Sequence, residues 1–342
     1  MKFDTRHAIR LAALAFASVF IAACSRDPAA ESTPATDSAA ASAAPFVLRV
    51  GHFPNVTHVQ AVIARSFTRG GKGWFESRLG PDVKIEWYSY NAGPSAMEAI
   101  FAKSLDLTYV GPNPAINSYS RAGGEEIRVV AGAVNGGSAL VVQADSALTK
   151  PADFRGKRIG TPQLGNTQDI AARAWLADGG LTISQLGGDA QVIPTANADQ
   201  LSLFKQRQLD AVWTVEPWVS RLELEADGKL LIDDRDAVTT VLVSTVALLT
   251  NQRELVRRFV GAHRQLSEWI QANPAEAQQR LVAELAEQTR GAISATVVSR
   301  AWPRMTLTTD ITLEPFTQFQ QSALASGLLA NSVDLSRLVE TP

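Results

Sequence analysis

The chain has 342 residues, 46% hydrophobic and 19% charged, with a formal net charge of −2. That composition supports sizeable globular cores and argues against a nucleic-acid partner, which favours a basic surface. With one cysteine, Cys24, a disulfide framework is excluded.

In chain order, Lys2, Arg6 and Arg10 precede a short apolar run over 11–23 that ends in Ile21-Ala22-Ala23-Cys24. The run is too short to span a bilayer, and the pattern is that of a lipoprotein export signal cleaved before Cys24. Lipidation there accounts for a lone thiol in an exported chain. Residues 24–45, rich in Ala, Ser, Thr and Pro, cannot bury enough surface to offset their ordering entropy and read as a flexible tether.

From residue 46 the pattern becomes strand, loop, helix. Residues 46–51 read as a strand, and Asn55 or Thr57 opens a helix through Val62 and Phe67, with Thr57…Gln60 fitting a capping box. The glycines at 70, 71 and 73 lack the spacing of a phosphate loop and read as a turn. A strand at 83–88, a capping box Ser95…Glu98, a strand at 105–110 and a helix from Ala115 follow. The β-rich runs 127–134 and 138–143, broken by Asn135-Gly136-Gly137, read as a crossing into a second lobe.

There the scheme repeats. Residues 49–65, RVGHFPNVTHVQAVIAR, are echoed by 158–173, RIGTPQLGNTQDIAAR. Residues 105–112, LDLTYVGP, are echoed by 209–217, LDAVWTVEP. Strands are expected at 158–160, 191–193 and 209–215, with a helix opened by Asn197…Gln200. The β-branched run 238–250 reads as a return strand, and 251–342 as mostly helical, with His263 a core or boundary histidine rather than a ligand. The expected architecture is α/β: two lobes, each a mostly parallel sheet flanked by helices, joined by two crossing strands. The expected boundaries are 1–23 signal, 24–45 tether, 46–137 plus 240–342 first lobe, and 138–239 second lobe.

In open parallel sheets, ligands bind beyond the carboxyl ends of the strands. The loops there carry His52, Asn55 and His58; Asn91 and Gly93; Gly111 and Asn113; Asn135 and Ser138; Asn166 and Thr167; Trp213 and Glu216. Helix starts among them attract small anions through free backbone N–H groups and the helix dipole. Trp213 suggests a wall for an organic ligand, whereas Trp218 is expected to pack in the core. Glu216 reads either as a contact to an amine or as a hydrogen bond between the lobes. His52 and His58 lack partners at metal-site spacing, so no metal or cofactor is expected. No GxSxG elbow occurs, and no catalytic residue is assigned.

The ordered set RVGHFPN, YNAGPSAMEAI, LDLTYVGPNPAINSY, GKRIGTPQLGNTQD and LDAVWTVEPWVSRLE resembles the nitrate/sulfonate/taurine group of ABC-transporter substrate-binding proteins, over roughly 46–270. The resemblance implies a type 2 periplasmic-binding-protein fold with a small anionic or zwitterionic solute trapped at the hinge. It implies that Gly111, Pro112 and Asn113, with the helix start Gly165-Asn166-Thr167, hold the anionic group. The implied partners are an ABC permease and its ATPase. A monomer in the periplasm, lipid-anchored through Cys24, is expected. The loops lack an Arg clamp for a sulfonate. Desulfinase-like or pyrimidine-synthase-like enzymes of the same fold, and a ligand sensor, are the alternatives. The absent mature thiol argues against the first enzyme type and the export signal against the second.

Overall fold

A computed structural model describes residues 44–184 and 187–342. The expected signal, Cys24 and nearly all of the tether lie outside the described residues. Among those described, no helix is long and apolar enough to cross a membrane.

The chain begins with β1 (Phe46–His52), a 3-10 turn at Val56–His58, α1 (Val59–Arg69), α2 (Glu76–Leu79) and β2 (Val83–Ser89). It continues through α3 (Gly93–Phe101), β3 (Leu107–Val110), α4 (Pro112–Arg121) and β4 (Ile127–Gly136). Next come β5 (Ser138–Val142), β6 (Arg158–Thr161), α5 (Thr167–Asp178) and a short ribbon, β7 (Ile183–Ser184) with β8 (Gly187–Gly188). Then follow β9 (Gln191–Pro194), α6 (Asn197–Lys205), β10 (Ala211–Val215), α7 (Trp218–Ala226) and β11 (Lys229–Asp234). The return strand β12 (Val238–Thr245) leads to α8 (Val246–Asn251), α9 (Arg253–Ala272) and α10 (Pro274–Thr289). The chain ends with α11 (Ala295–Ala301), β13 (Met305–Leu307) and α12 (Glu314–Ala325).

These strands form two principal sheets, ordered β13-β4-β12-β3-β1-β2 and β11-β5-β10-β6-β9. In each, three parallel strands (β2-β1-β3 and β9-β6-β10) are joined by antiparallel crossing strands, β12 on β3 and β5 on β10. The sheets are therefore mixed. The first sheet is covered on one face by α1, α9 and α10, and on the other by α3, α4 and α12. The second is covered by α5 on one face and by α6 and α7 on the other. Both are buried on two faces, which is why their strands read as continuous apolar runs.

The sequence echo is a structural repeat down to its ion pairs. The Asp106 carboxylate accepts from the Arg49 amide and Nε, both at 2.9 Å. The Asp210 carboxylate accepts from the Arg158 amide at 2.9 Å and from its Nε at 3.4 Å. In return the Arg49 and Arg158 carbonyls each take the amide of that aspartate at 3.0 Å. Each pair ties one parallel strand, at mid-β1 and at the start of β6, to the residue just before its parallel neighbour.

Several local expectations give way to tertiary structure. The run 238–250 stays extended only to Thr245, whose Oγ1 accepts from the Leu248 amide at 3.1 Å and caps α8. Thr57 and Gln60 form no capping box. Gln60 Nε2 reaches the Ala133 carbonyl (2.8 Å), and the Thr57 carbonyl accepts from Thr240 Oγ1 (2.9 Å). α3 opens at Gly93, leaving Ser95 Oγ free to bond Gln163 Oε1 at 3.1 Å. α4 opens at Pro112, three residues before Ala115, where proline's missing N–H costs nothing. Gln200 likewise caps nothing; its Nε2 donates to the Thr195 carbonyl at 3.0 Å. Only Gly137 separates β4 from β5, and Gly136 and Gly137 both have positive φ, 75° and 72°. A side chain at Gly136 would sit 2.3 Å from the Arg304 carbonyl, so this crossing requires glycine.

Candidate functional site

Between the two sheets lies a cavity of about 30 Å³, room for roughly two waters or one small polar group. The first-sheet wall is the turn after β1 (Phe53, Asn55, Thr57 and His58), the start of α3 (Asn91, Ala92 and Gly93), and Gly111 and Pro114 around the start of α4. The facing wall is Pro162, Asn166, Thr167 and Gln168 at the start of α5, Asn197 at the start of α6, and Val215 at the end of β10. Thr239, on β12, closes the cavity. Four helix starts thus meet at one point, two from each lobe.

Among the described residues, no Lys, Arg, Asp or Glu lines this space. Burial holds the His58 imidazole well below its ordinary pKa, with His52 adding to the shift, so the ring is neutral at ordinary pH. The positive potential is that of helix dipoles, roughly 0.3–1 kcal/mol for each terminus toward an anion. Thr167 Oγ1 is buried and has no hydrogen-bond partner among the described residues.

The walls are drawn together by hydrogen bonds across the gap. Asn91 Nδ2 donates to the Pro162 carbonyl at 3.2 Å, and Trp218 Nε1 donates to Asn55 Oδ1 at 3.2 Å. The Val56 amide donates to the Glu216 carbonyl at 3.1 Å. Gly111 lies so close to Thr167 that an added Cβ would be 2.5 Å from its Oγ1. Asn166 caps α5, its Oδ1 accepting from the Asp169 amide at 2.8 Å. Asn166→Ala is expected to cost about 1 kcal/mol in urea denaturation. Asn166→Asp, which keeps the acceptor, should cost less; equal losses would remove the cap as the cause.

Seven of the thirteen sequence-selected ligand residues border the cavity: Asn55, His58, Asn91, Gly93, Gly111, Asn166 and Thr167. The other six do not. His52 points beneath the sheet toward α10, its Nε2 2.8 Å from Gln288 Oε1 and its ring edge-on to Trp87; burial lowers its pKa to about 4. Asn113 faces α12, where its Nδ2 donates to the Phe319 carbonyl at 3.1 Å. Asn135 lies within β4, between β12 and β13. Ser138 stands behind Gln168, its Oγ accepting from Nε2 at 3.2 Å. Trp213 packs beneath α5 against Trp175.

Glu216 is buried and takes the interlobe role. Its Oε1 lies 2.8 Å from Arg304 Nη1, on the segment leading into β13, and Ser220 donates from its amide and Oγ. Trp218, expected in the core, is only half-buried, because its indole N–H reaches across to Asn55. His263 is a core residue as expected, between the Tyr109 hydroxyl (3.0 Å) and the Gly132 carbonyl (2.9 Å).

Sequence reasoning passed over Pro162, Gln168 and Asn197. The rule that ligands sit beyond strand ends would have found Pro162 and Asn197 in the loops after β6 and β9. Nothing local marks Thr239, which enters only through the return crossing.

A two-lobed α/β body with helix starts converging on an interlobe cavity defines the periplasmic-binding-protein class. The model of the NMT1-like family matches residues 42–287, and the chain belongs to that family. Among solved structures, the alkanesulfonate-binding protein of Xanthomonas axonopodis pv. citri bound to MOPS superposes with a TM-score of 0.71 at 24% identity. That match covers 88% of this chain and 100% of the other, and it establishes the fold. A "Putative aliphatic sulfonates-binding protein" of Escherichia coli strain K12 is 28% identical over 204 residues, 59% of each chain. A "Putative binding protein" of Brucella abortus is 25% identical over 209 residues, 59% of this chain and 60% of the other. The chain thus matches about 60% of the length of these curated relatives.

Proposed function

We propose that this chain is an extracytoplasmic solute-binding lipoprotein of an ABC importer, anchored through Cys24. In this reading it captures a small anionic or zwitterionic solute of the sulfonate, taurine or nitrate class and delivers it unchanged to a permease. The first lobe would comprise 46–137 with 240–342, and the second 138–239.

The observation that carries the reading is the meeting of four helix starts, from both lobes, on a small cavity lined by no ionised side chain among the described residues. Neutral donors and backbone dipoles there favour an oxyanion headgroup. The free hydroxyl of Thr167 supplies one hydrogen bond to it. The small volume means that an organic body requires the lobes to part further, by the hinge motion usual in such folds.

Thermal denaturation of the purified mature chain with nitrate, taurine or alkanesulfonates tests it. At a hundredfold excess over Kd, a true solute adds about 2.7 kcal/mol of stability, read as a raised Tm. Stabilisation by none of these solutes, or a solute converted to product during incubation, would overturn the reading.

A further inference from the structure

A second cavity, about 600 Å³, lies between α5 and α12 beside the entry of β12, within the size range of small-molecule sites. Its apolar lining includes Trp175, Trp213 and Phe319; the two indoles meet edge to face with centroids 6.1 Å apart. Asn113 also borders it and is 1% exposed. Its Nδ2 is used by the Phe319 carbonyl, and its Oδ1 has no hydrogen-bond partner among the described residues.

Four carboxylates border the same cavity: Asp178, Asp234, Asp236 and Glu314. None of them is in an ion pair among the described residues, and no Lys or Arg borders the space. Withdrawal from water, with Asp236 and Asp233 close by, raises the pKa of Asp234. The potential is thus opposite in sign to that of the first cavity. Uncompensated carboxylates, indole faces and a buried amide acceptor together recognise an N–H-bearing cation attached to an apolar body.

We propose that this cavity is a second binding site, taking an organic ammonium ion with an aromatic or alkyl body. The body lies against Trp175, Trp213 and Phe319. The ammonium group is held by the field of the acidic rim, and Asn113 Oδ1, closed to solvent in this structure, accepts from it once the side chain turns toward the cavity. The site is independent of which solute occupies the first cavity.

Calorimetry on the purified mature chain with 2-phenylethylammonium tests it, with 2-phenylethanol and 3-phenylpropanoate as neutral and anionic counterparts of similar shape. The ammonium ion should bind saturably, more weakly as salt rises, and at least about tenfold tighter than the alcohol. The double variant Asp234→Asn/Asp236→Asn keeps an oxygen to accept from the Ala237 amide, which Asp234 Oδ1 takes at 3.2 Å, and should weaken binding about tenfold. No saturable heat at millimolar ammonium, equal binding of the alcohol, or unchanged affinity in the double variant would overturn the proposal.

Discussion

Replacing Gly111 by alanine is expected to weaken solute capture about a hundredfold while leaving the unliganded protein as stable as before. Gly111 has φ −72° and ψ 156°, backbone that any L-residue adopts without strain. The obstacle lies across the cleft. A Cβ at Gly111 would stand 2.5 Å from Thr167 Oγ1 but 3.5 Å from Thr167 Cβ and 3.6 Å from the Thr239 carbonyl. Only the hydroxyl overlaps, and it belongs to the first residue of α5 on the opposing lobe. Thr167 is β-branched, so rotation about χ1 offers few ways out. The less costly relief is for the lobes to stay apart. If the bound state needs closure, affinity falls in proportion to the lost population of the closed form, and a hundredfold corresponds to about 2.7 kcal/mol. Calorimetry with the solute found by thermal denaturation measures the loss, and small-angle scattering reports whether closure persists. The second variant Gly111→Ala/Thr167→Ala removes the overlap and should restore ligand-induced compaction. Native affinity in Gly111→Ala alone would show that this contact does not govern closure.

The repeat was the most legible part of the chain because it is carried by short, strongly constrained signals. Arg49 and Asp106 recur as Arg158 and Asp210, and each pair makes the same bonds between amide, guanidinium and carboxylate. A strand start followed by Gly, and Leu-Asp before the next parallel strand, is a local pattern that a sequence displays directly. Asn166 was read only as one of several polar residues at helix starts; its bond to the Asp169 amide makes it the cap of α5. The periodicity of α9 placed His263 on the buried face that holds Leu255, Phe259 and Leu266.

What escaped the sequence is direction and distance. Strand-end loops other than the one after β9 were identified as candidates, but which way a side chain leaves the loop depends on neighbours far away in the chain. Asn113 turns to Phe319, and His52 turns to Gln288. Both are polar residues near helix starts or strand ends, indistinguishable by type from Asn55 or Asn91, which do reach the cleft. The run 238–250 failed for a different reason. β-Branched propensity continues past Thr245, but Thr245 is also a cap, and its bond to Leu248 ends the strand. Glu216 left two uses open because its partner, Arg304, lies 88 residues away.

That partner sets the other large effect: Arg304→Met is expected to destabilise the protein by about 3–5 kcal/mol. Arg304 and Glu216 have side chains 6% and 0% exposed, and Arg304 Nη2 also reaches Glu223 Oε2 at 2.7 Å. Methionine fills much of the space but leaves the Glu216 carboxylate buried with only the Ser220 amide and hydroxyl. Desolvation already raises the Glu216 pKa even with the guanidinium opposing it, and removing Arg304 raises it further. The sign of the pH dependence follows. Above that raised pKa the variant carries a stranded charge and the full deficit. As pH falls through it, the folded state takes up a proton that the unfolded state has not yet bound, and the deficit shrinks. Urea denaturation at about pH 8 and about pH 5.5 should therefore show the larger loss at the higher value. Adding Glu216→Gln removes the charge altogether and should recover much of the stability at pH 8, since an amide can still accept from Ser220. A loss within about 0.5 kcal/mol for Arg304→Met would mean that the pair behaves like a solvent-exposed one. The same would then hold for the strut it forms between β10 and the segment leading into β13.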